Sequence, residues 1–268
     1  MPAPNQITIS QLQRLIGTPD SPSIIDVRTD EDFAGDPRLI PGAQRCRFDA
    51  VDALAPTLAG RRAVIVCHRG KKLSEGAAAL LRTHGVGAEA LQGGAVGWSD
   101  AGALTIRPGI APVSGIWVTR HRPKIDRVAC PWLIRRFVDP SARFLFVPPS
   151  EVTAVAEHFQ AAAFDLEDVF WSHRGDLCTF DVMLEEFGLA SEALARLAAV
   201  VRAADTNRHD LAPEAAGLLA MSVGMSRMHR DDLEQLEASF PIYDALYRWA
   251  RDGFDEAHDW PGTKGAAS

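Results

Sequence analysis

Across the first hundred residues, short β-branched apolar runs alternate with stretches of helical pattern, and no other feature limits the fold as much. Ser23-Ile24-Ile25-Asp26-Val27 and Ala63-Val64-Ile65-Val66 are short, apolar and bounded by turn residues, so they predict buried parallel strands. Residues 88–91 predict another. Helices are expected over 50–58 and over 75–84, the second capped by Ser74 and ended by Gly85. Gly93-Gly94 should turn the chain into a short helix carrying Trp98. Parallel strands need crossover connections, so the expectation is a parallel sheet covered on both faces.

The chain has 268 residues, the length of two ordinary domains. The uncharged, aperiodic run Pro108-Gly109-Ile110-Ala111-Pro112-Val113-Ser114-Gly115 marks a linker. It divides an N-terminal domain, 1–108, from a second domain, 116–258, with the linker at 109–115. A tail of small polar residues, 259–268, is expected to be disordered. The second domain predicts strands over 116–119 and 143–147 and a helix that starts near Cys130 or is kinked at Pro131. A helix capped by Ser150 follows, then helices over 178–187, 191–205, 213–225 and 231–252, the last bent or split by Pro241. The fold class expected is therefore α/β for the first domain and mostly helical α+β for the second.

The formal charge is −7, distributed as +1 over 1–110, +5 over 120–136 and −13 over 137–268. One local basic stretch in an acidic chain suits a small anion and argues against nucleic acid as a partner. The N-terminus lacks a basic and apolar leader pattern, and no apolar run approaches the ~20 residues of a membrane helix. Four cysteines, at 46, 67, 130 and 178, are too sparse for a disulfide framework, so a reducing cytoplasm is the expected compartment, with no membrane partner.

The strongest chemical signal is Cys67-His68-Arg69-Gly70-Lys71-Lys72. The cysteine leaves a buried strand, enters a loop with a glycine and three cations, and meets a helix N-terminus. Loop N–H groups, the helix dipole and the cations together should lower a thiol pKa and hold a sulfur-bound anion. Cys67 is the candidate nucleophile, and His68, Arg69, Gly70, Lys71 and Lys72 the candidate anion loop. A histidine adjacent to a strand-end cysteine usually points elsewhere, so His68 is not expected to be its base. Asp26 and Arg28 suggest an internal ion pair, and Cys46 a structural residue.

In the second domain, the basic run from Trp117 to Phe137 interleaves Arg with Trp, which makes Arg120, Arg122, Lys124, Arg135 and Arg136 candidates for a compact oxyanion site. Cys130 and Cys178 are candidate redox or ligand thiols. His173, Asp181, Asp205 and His209 offer the donor set of a divalent ion such as Zn²⁺, Mn²⁺ or Fe²⁺. Asp205 and His209 stand four apart on one helix face.

Asp26-Val27-Arg28 with Glu31 and Phe33, Ile40-Pro41-Gly42-Ala43, Cys67 with Gly70, and Gly93-Gly94 with Gly97-Trp98 together resemble the rhodanese family over about residues 5–108. The resemblance implies that Cys67 accepts sulfur and that residues 68–72 form its anion pocket. Lys72 stands where many relatives place Arg. The second domain resembles the C-terminal domain of chromate-resistance proteins of ChrB type. The resemblance rests on the run from Trp117 through Arg136, on His173, Gly175, Cys178 and Phe180, on Pro213 to Leu218, and on Tyr243 to Tyr247. It implies a role in tolerance of chromate; some relatives place Glu and His where this chain has Asp181 and Arg202.

Three functions are consistent with these features. The first is a sulfurtransferase, needing no cofactor for sulfur transfer, that takes sulfur from a small donor, passes it to a thiol acceptor and is coupled to a domain handling chromate, a similar oxyanion or a divalent metal. The second is a chromate-responsive regulator on a non-catalytic scaffold. The third is a metal-dependent enzyme centred on the second domain.

Overall fold

The computed structural model describes residues 5–256. The first domain runs β1 (Gln6–Ile7), α1 (Ile9–Leu15), β2 (Ser23–Asp26), α2 (Asp30–Gly35), β3 (Ala43–Arg45), β4 (Arg62–Val66), α3 (Lys72–Thr83), β5 (Gly87–Leu91) and α4 (Gly94–Asp100). Its five strands are all parallel, in the order β1-β5-β4-β2-β3. Strand residues alternate between two cores, as a period of two demands. Ile24, Val64 and Val66 face one, while Ile25, Val27, Ala63, Ile65 and Cys67 face the other.

The expected helix over 50–58 is instead a 3₁₀ helix, Val51–Leu58, with Pro56 inside it. Proline lacks the N–H that an α-helical ladder would need there. Helix α3 starts at Lys72, two residues before Ser74. Ser74 is therefore not a cap: it is buried in the first turn, with Oγ 3.1 Å from the Lys71 carbonyl.

The second domain contains β6 (Ile116–Arg120), α5 (Asp126–Leu133), β7 (Arg143–Val147), α6 (Val152–Phe159), β8 (Ala162–Ala163), α7 (Thr179–Phe187), α8 (Glu192–Asp205), α9 (Ala215–Met228) and α10 (Asp232–Asp252). Its sheet is small and parallel, ordered β7-β6-β8. Of the two forms expected at Pro131, the structure adopts the distorted one. Helix α5 starts at Asp126, carries Pro131 inside, and continues as a π-helical turn over Ile134–Val138. Ser150 does not cap α6 but lies in a preceding 3₁₀ turn. Helix α10 is not split by Pro241 and runs as one element through it. Strand β8, only two residues long, has no sequence signal. The 259–268 tail lies outside the described residues. Among the described residues, no helix is long and apolar enough to cross a membrane.

The residues from Arg107 to Gly115 contain no helix or strand, yet the domains do not hang apart. One hydrophobic core includes Leu12, Ile16 and Trp98 of the first domain and Trp132, Phe137 and Tyr247 of the second. Gly17, at φ +75°, lies close against the second domain. A Cβ there would lie 2.3 Å from Phe137 Cζ and 2.8 Å from Tyr247 Cε1. The Gly42 N–H donates to the Phe137 carbonyl at 2.7 Å, and the Arg107 N–H to that of Phe187 at 2.9 Å. Gly17→Val should therefore destabilise the chain by about 2 kcal/mol or more, through overpacking and a left-handed backbone. In the parent chain, circular dichroism and tryptophan fluorescence should follow a single coincident thermal transition. Two separated transitions would contradict the shared core.

Candidate functional site

Cys67 follows β4 directly and is buried, with Sγ turned toward the start of α3. The Lys71 backbone N–H donates to the sulfur at 3.3 Å, and Ser74 Oγ lies 3.1 Å from it. The Lys71 carbonyl is 3.9 Å away and can receive the thiol proton. Arg69, Lys71 and Lys72 are exposed, with no ion-pair partner among the described residues. His68 points elsewhere, its Nδ1 4.0 Å from Asp32 Oδ1.

Backbone contacts fix this loop. The Ala95 N–H donates to the Cys67 carbonyl at 2.9 Å and the Val96 N–H to the His68 carbonyl at 3.0 Å. Gly70 and Gly94 both have positive φ, and a Cβ on Gly94 would come within 2.3 Å of the Cys67 oxygen and of the Gly70 nitrogen. The two glycines thus let the α4 turn lie directly against the cysteine loop. Nearby, Arg28 and Asp26 form the expected buried ion pair at 2.6 Å, and Arg28 also donates to the Asp36 and Arg38 carbonyls. That pair organises loops at the carboxyl ends of the strands.

The five candidate cations are not gathered at one place, and their guanidinium groups have partners within the chain. Arg120 pairs with Asp165, Arg135 with Glu237, and Arg136 with both oxygens of Asp244. Arg122 donates to the carbonyls of Ser226 and His229 at the end of α9. Lys124 is exposed, and its ammonium has no partner among the described residues. Trp117 and Trp132 are fully buried core residues. Cys130 and Cys178 are also fully buried, and burial pushes both thiols far above their ordinary range. Both sit within the hydrophobic core.

A second polar centre forms where the N-termini of α5 and α7 meet the C-terminus of α8. His173, on the loop between β8 and α7, places Nε2 3.5 Å from Asp126 Oδ2, 3.5 Å from Asp165 Oδ1 and 3.2 Å from Asp205 Oδ2. Of the four candidates expected here, only His173 and Asp205 come together. Asp181 instead accepts from Arg202 at 2.7 Å and from the Cys178 N–H at 3.1 Å. His209 lies outside the group, on the chain after α8.

The places of Asp181 and His209 are taken by Asp126 and Asp165. Asp126 is the one acid among the cations of the basic run, which was the available signal; Asp165 had none. Asp126 opens α5 directly after Ile125, whose φ of +43° is a rare conformation for a β-branched residue. That backbone is held by a bond from the Ile125 N–H to Ser222 Oγ and by the Tyr243 hydroxyl on the Ile125 carbonyl. Asp165 also has positive φ, and its carboxylate receives Arg120, Arg127 and the Thr179 hydroxyl. The Thr179 N–H donates to Asp126 Oδ2 at 2.6 Å. Burial raises Asp126 to about 6 against the opposing pull of His173. The facing carboxylates of Asp126, Asp165 and Asp205 push His173 well above its ordinary value. At Asp165, burial is outweighed by His173, Arg127 and Arg120, which hold it below the usual range.

The family described as ChrB, C-terminal domain, matches residues 117–250, and the rhodanese-like domain family matches residues 8–101. Protein ChrB of Cupriavidus metallidurans is 38% identical over 133 residues, covering 49% of this chain and 39% of that protein. The chain thus spans well under half of the curated relative it matches. Among solved structures, a rhodanese-like domain protein from Staphylococcus aureus is 27% identical at TM-score 0.32, covering 35% of this chain and 90% of that one. A thiosulfate sulfurtransferase from Pseudomonas aeruginosa is 25% identical at TM-score 0.32, covering 39% and 19%.

If the glycine contact fixes the cysteine loop, Gly94→Ala should release the Ala95 and Val96 amides. Their hydrogen exchange is expected to accelerate by at least ~10-fold, while amides in β4 keep their protection. Unchanged exchange at both positions would mean that the loop is held by other contacts.

Proposed function

Because the chain belongs to the ChrB C-terminal-domain family and carries a rhodanese-like domain ahead of it, we propose that it is a sulfurtransferase whose Cys67 carries a persulfide, coupled to a domain that serves chromate tolerance. The observation that carries this reading is the setting of the Cys67 sulfur, with the Lys71 N–H at 3.3 Å and Ser74 Oγ at 3.1 Å. Both groups can donate to a negative sulfur. In the thiol state Ser74 has the Lys71 carbonyl as its alternative acceptor, so the hydroxyl can turn as the charge develops.

The reaction divides into two half-steps, as covalent catalysis does. The Cys67 thiolate attacks the outer sulfur of thiosulfate; a new sulfur–sulfur bond forms, the donor's sulfur–sulfur bond breaks, and sulfite departs with the electron pair. A thiolate acceptor then attacks the terminal persulfide sulfur, and Cys67 leaves as thiolate. Arg69, Lys71 and Lys72 draw the dianionic donor to the loop, and the donors around Sγ stabilise the persulfide anion.

Thiosulfate should load Cys67 with one sulfur atom, visible as the corresponding mass gain of the intact chain, and cyanide should discharge it. Cys67→Ser should abolish both the loading and the turnover. Ser74→Ala should slow turnover roughly tenfold, the effect of losing one hydrogen bond to a charged atom. Loading that persists in Cys67→Ser would move the carrier to another thiol and end this reading.

A further inference from the structure

We infer that Asp126, His173 and Asp205 form a binding site for one divalent first-row transition-metal ion, with Asp165 as a flanking carboxylate. One donor atom from each of the three lies within 4.8 Å of the other two. The separations of 3.2 and 3.5 Å from His173 Nε2 to the Asp205 and Asp126 oxygens are the spacing of neighbouring ligands around an ion. With bonds of about 2.1 Å, that spacing is roughly 3.0 Å in an octahedron and about 3.4 Å in a tetrahedron.

A second observation points to the same ligand. Asp126 is fully buried, and its Oδ1 has no hydrogen-bond partner among the described residues. A buried carboxylate oxygen without a partner is costly, and a bound cation would satisfy it. The alternative occupant is a proton on His173. An imidazolium offers one N–H at Nε2, while three carboxylate oxygens face that nitrogen, so a proton can serve only one of them well. The placement of Asp205 favours the ion as well. It is the last residue of α8, where the helix dipole disfavours negative charge, so a cation opposite it is stabilising.

The surroundings meet the remaining demands of a metal site. The Thr179 N–H orients Asp126, and Arg120 and Arg127 orient Asp165. The His173 side chain is 39% exposed and that of Asp205 20%, which leaves a route in from solvent. One imidazole with carboxylates suits Mn²⁺, Fe²⁺ or Zn²⁺. Binding at this centre does not depend on sulfur transfer at Cys67.

The test uses the full chain, stripped with a chelator and titrated separately with Mn²⁺ and Zn²⁺. Calorimetry should give one equivalent bound, with affinity at least ~100-fold weaker in Asp205→Asn and in His173→Gln. The exposed Asp210→Asn should bind like the parent chain. Circular dichroism checks that the variants are folded. A second measurement needs no variant: substoichiometric Mn²⁺ should broaden the ring resonances of His173 before those of the other histidines. Absence of saturable binding by both ions would overturn the inference. So would full affinity in both folded ligand variants, or uniform broadening across all histidines.

Discussion

The close approach of Gly17 to Phe137 and Tyr247 is the constraint on which the arrangement of the two halves depends. A backbone without a Cβ lets the end of α1 lie against aromatic rings of the second domain, and the apolar residues around it close into one core. The two faces of the first sheet then have different tasks. One is sealed by α3 and the 3₁₀ turn, and carries Cys67 at its carboxyl edge. The other merges with the second domain.

The basic run acquires its meaning from that packing. Its composition suggested an anion site, but most of its guanidinium groups pair with acids of a half that carries −13 over 137–268. Arg120 and Arg127 hold Asp165, Arg135 holds Glu237, and Arg136 holds Asp244, which also receives the Trp132 ring N–H. A charge count along the chain cannot distinguish a surface patch from counter-charges placed against distant residues, since the partners lie up to 108 positions away.

What could be read from the sequence was what is local. Strands β2, β4 and β5, the cysteine loop and most helices are contiguous segments with their own periodicity, and the structure contains them, whereas the short strands β1 and β3 were not read from the sequence. Ser74 was misread because capping patterns locate a helix start only approximately, and here the hydroxyl belongs to the sulfur's surroundings. The second polar centre was half legible. His173 and Asp205 were found as residue types, whereas Asp181 and His209 were chosen by helical spacing, which carries no information about what another element brings. Asp126 and Asp165 enter the centre through the unusual backbone at Ile125 and Asp165, and only tertiary contacts fix that.

The continuous core has a practical consequence for dissecting this chain. Cutting between the halves near residue 110 would uncover Phe137 and Tyr247 on one fragment, and the turn at Gly17 that covers them on the other, leaving apolar surface exposed. Each fragment made alone would tend to self-associate, and its failure to behave would say little about the chemistry it carries in the intact chain.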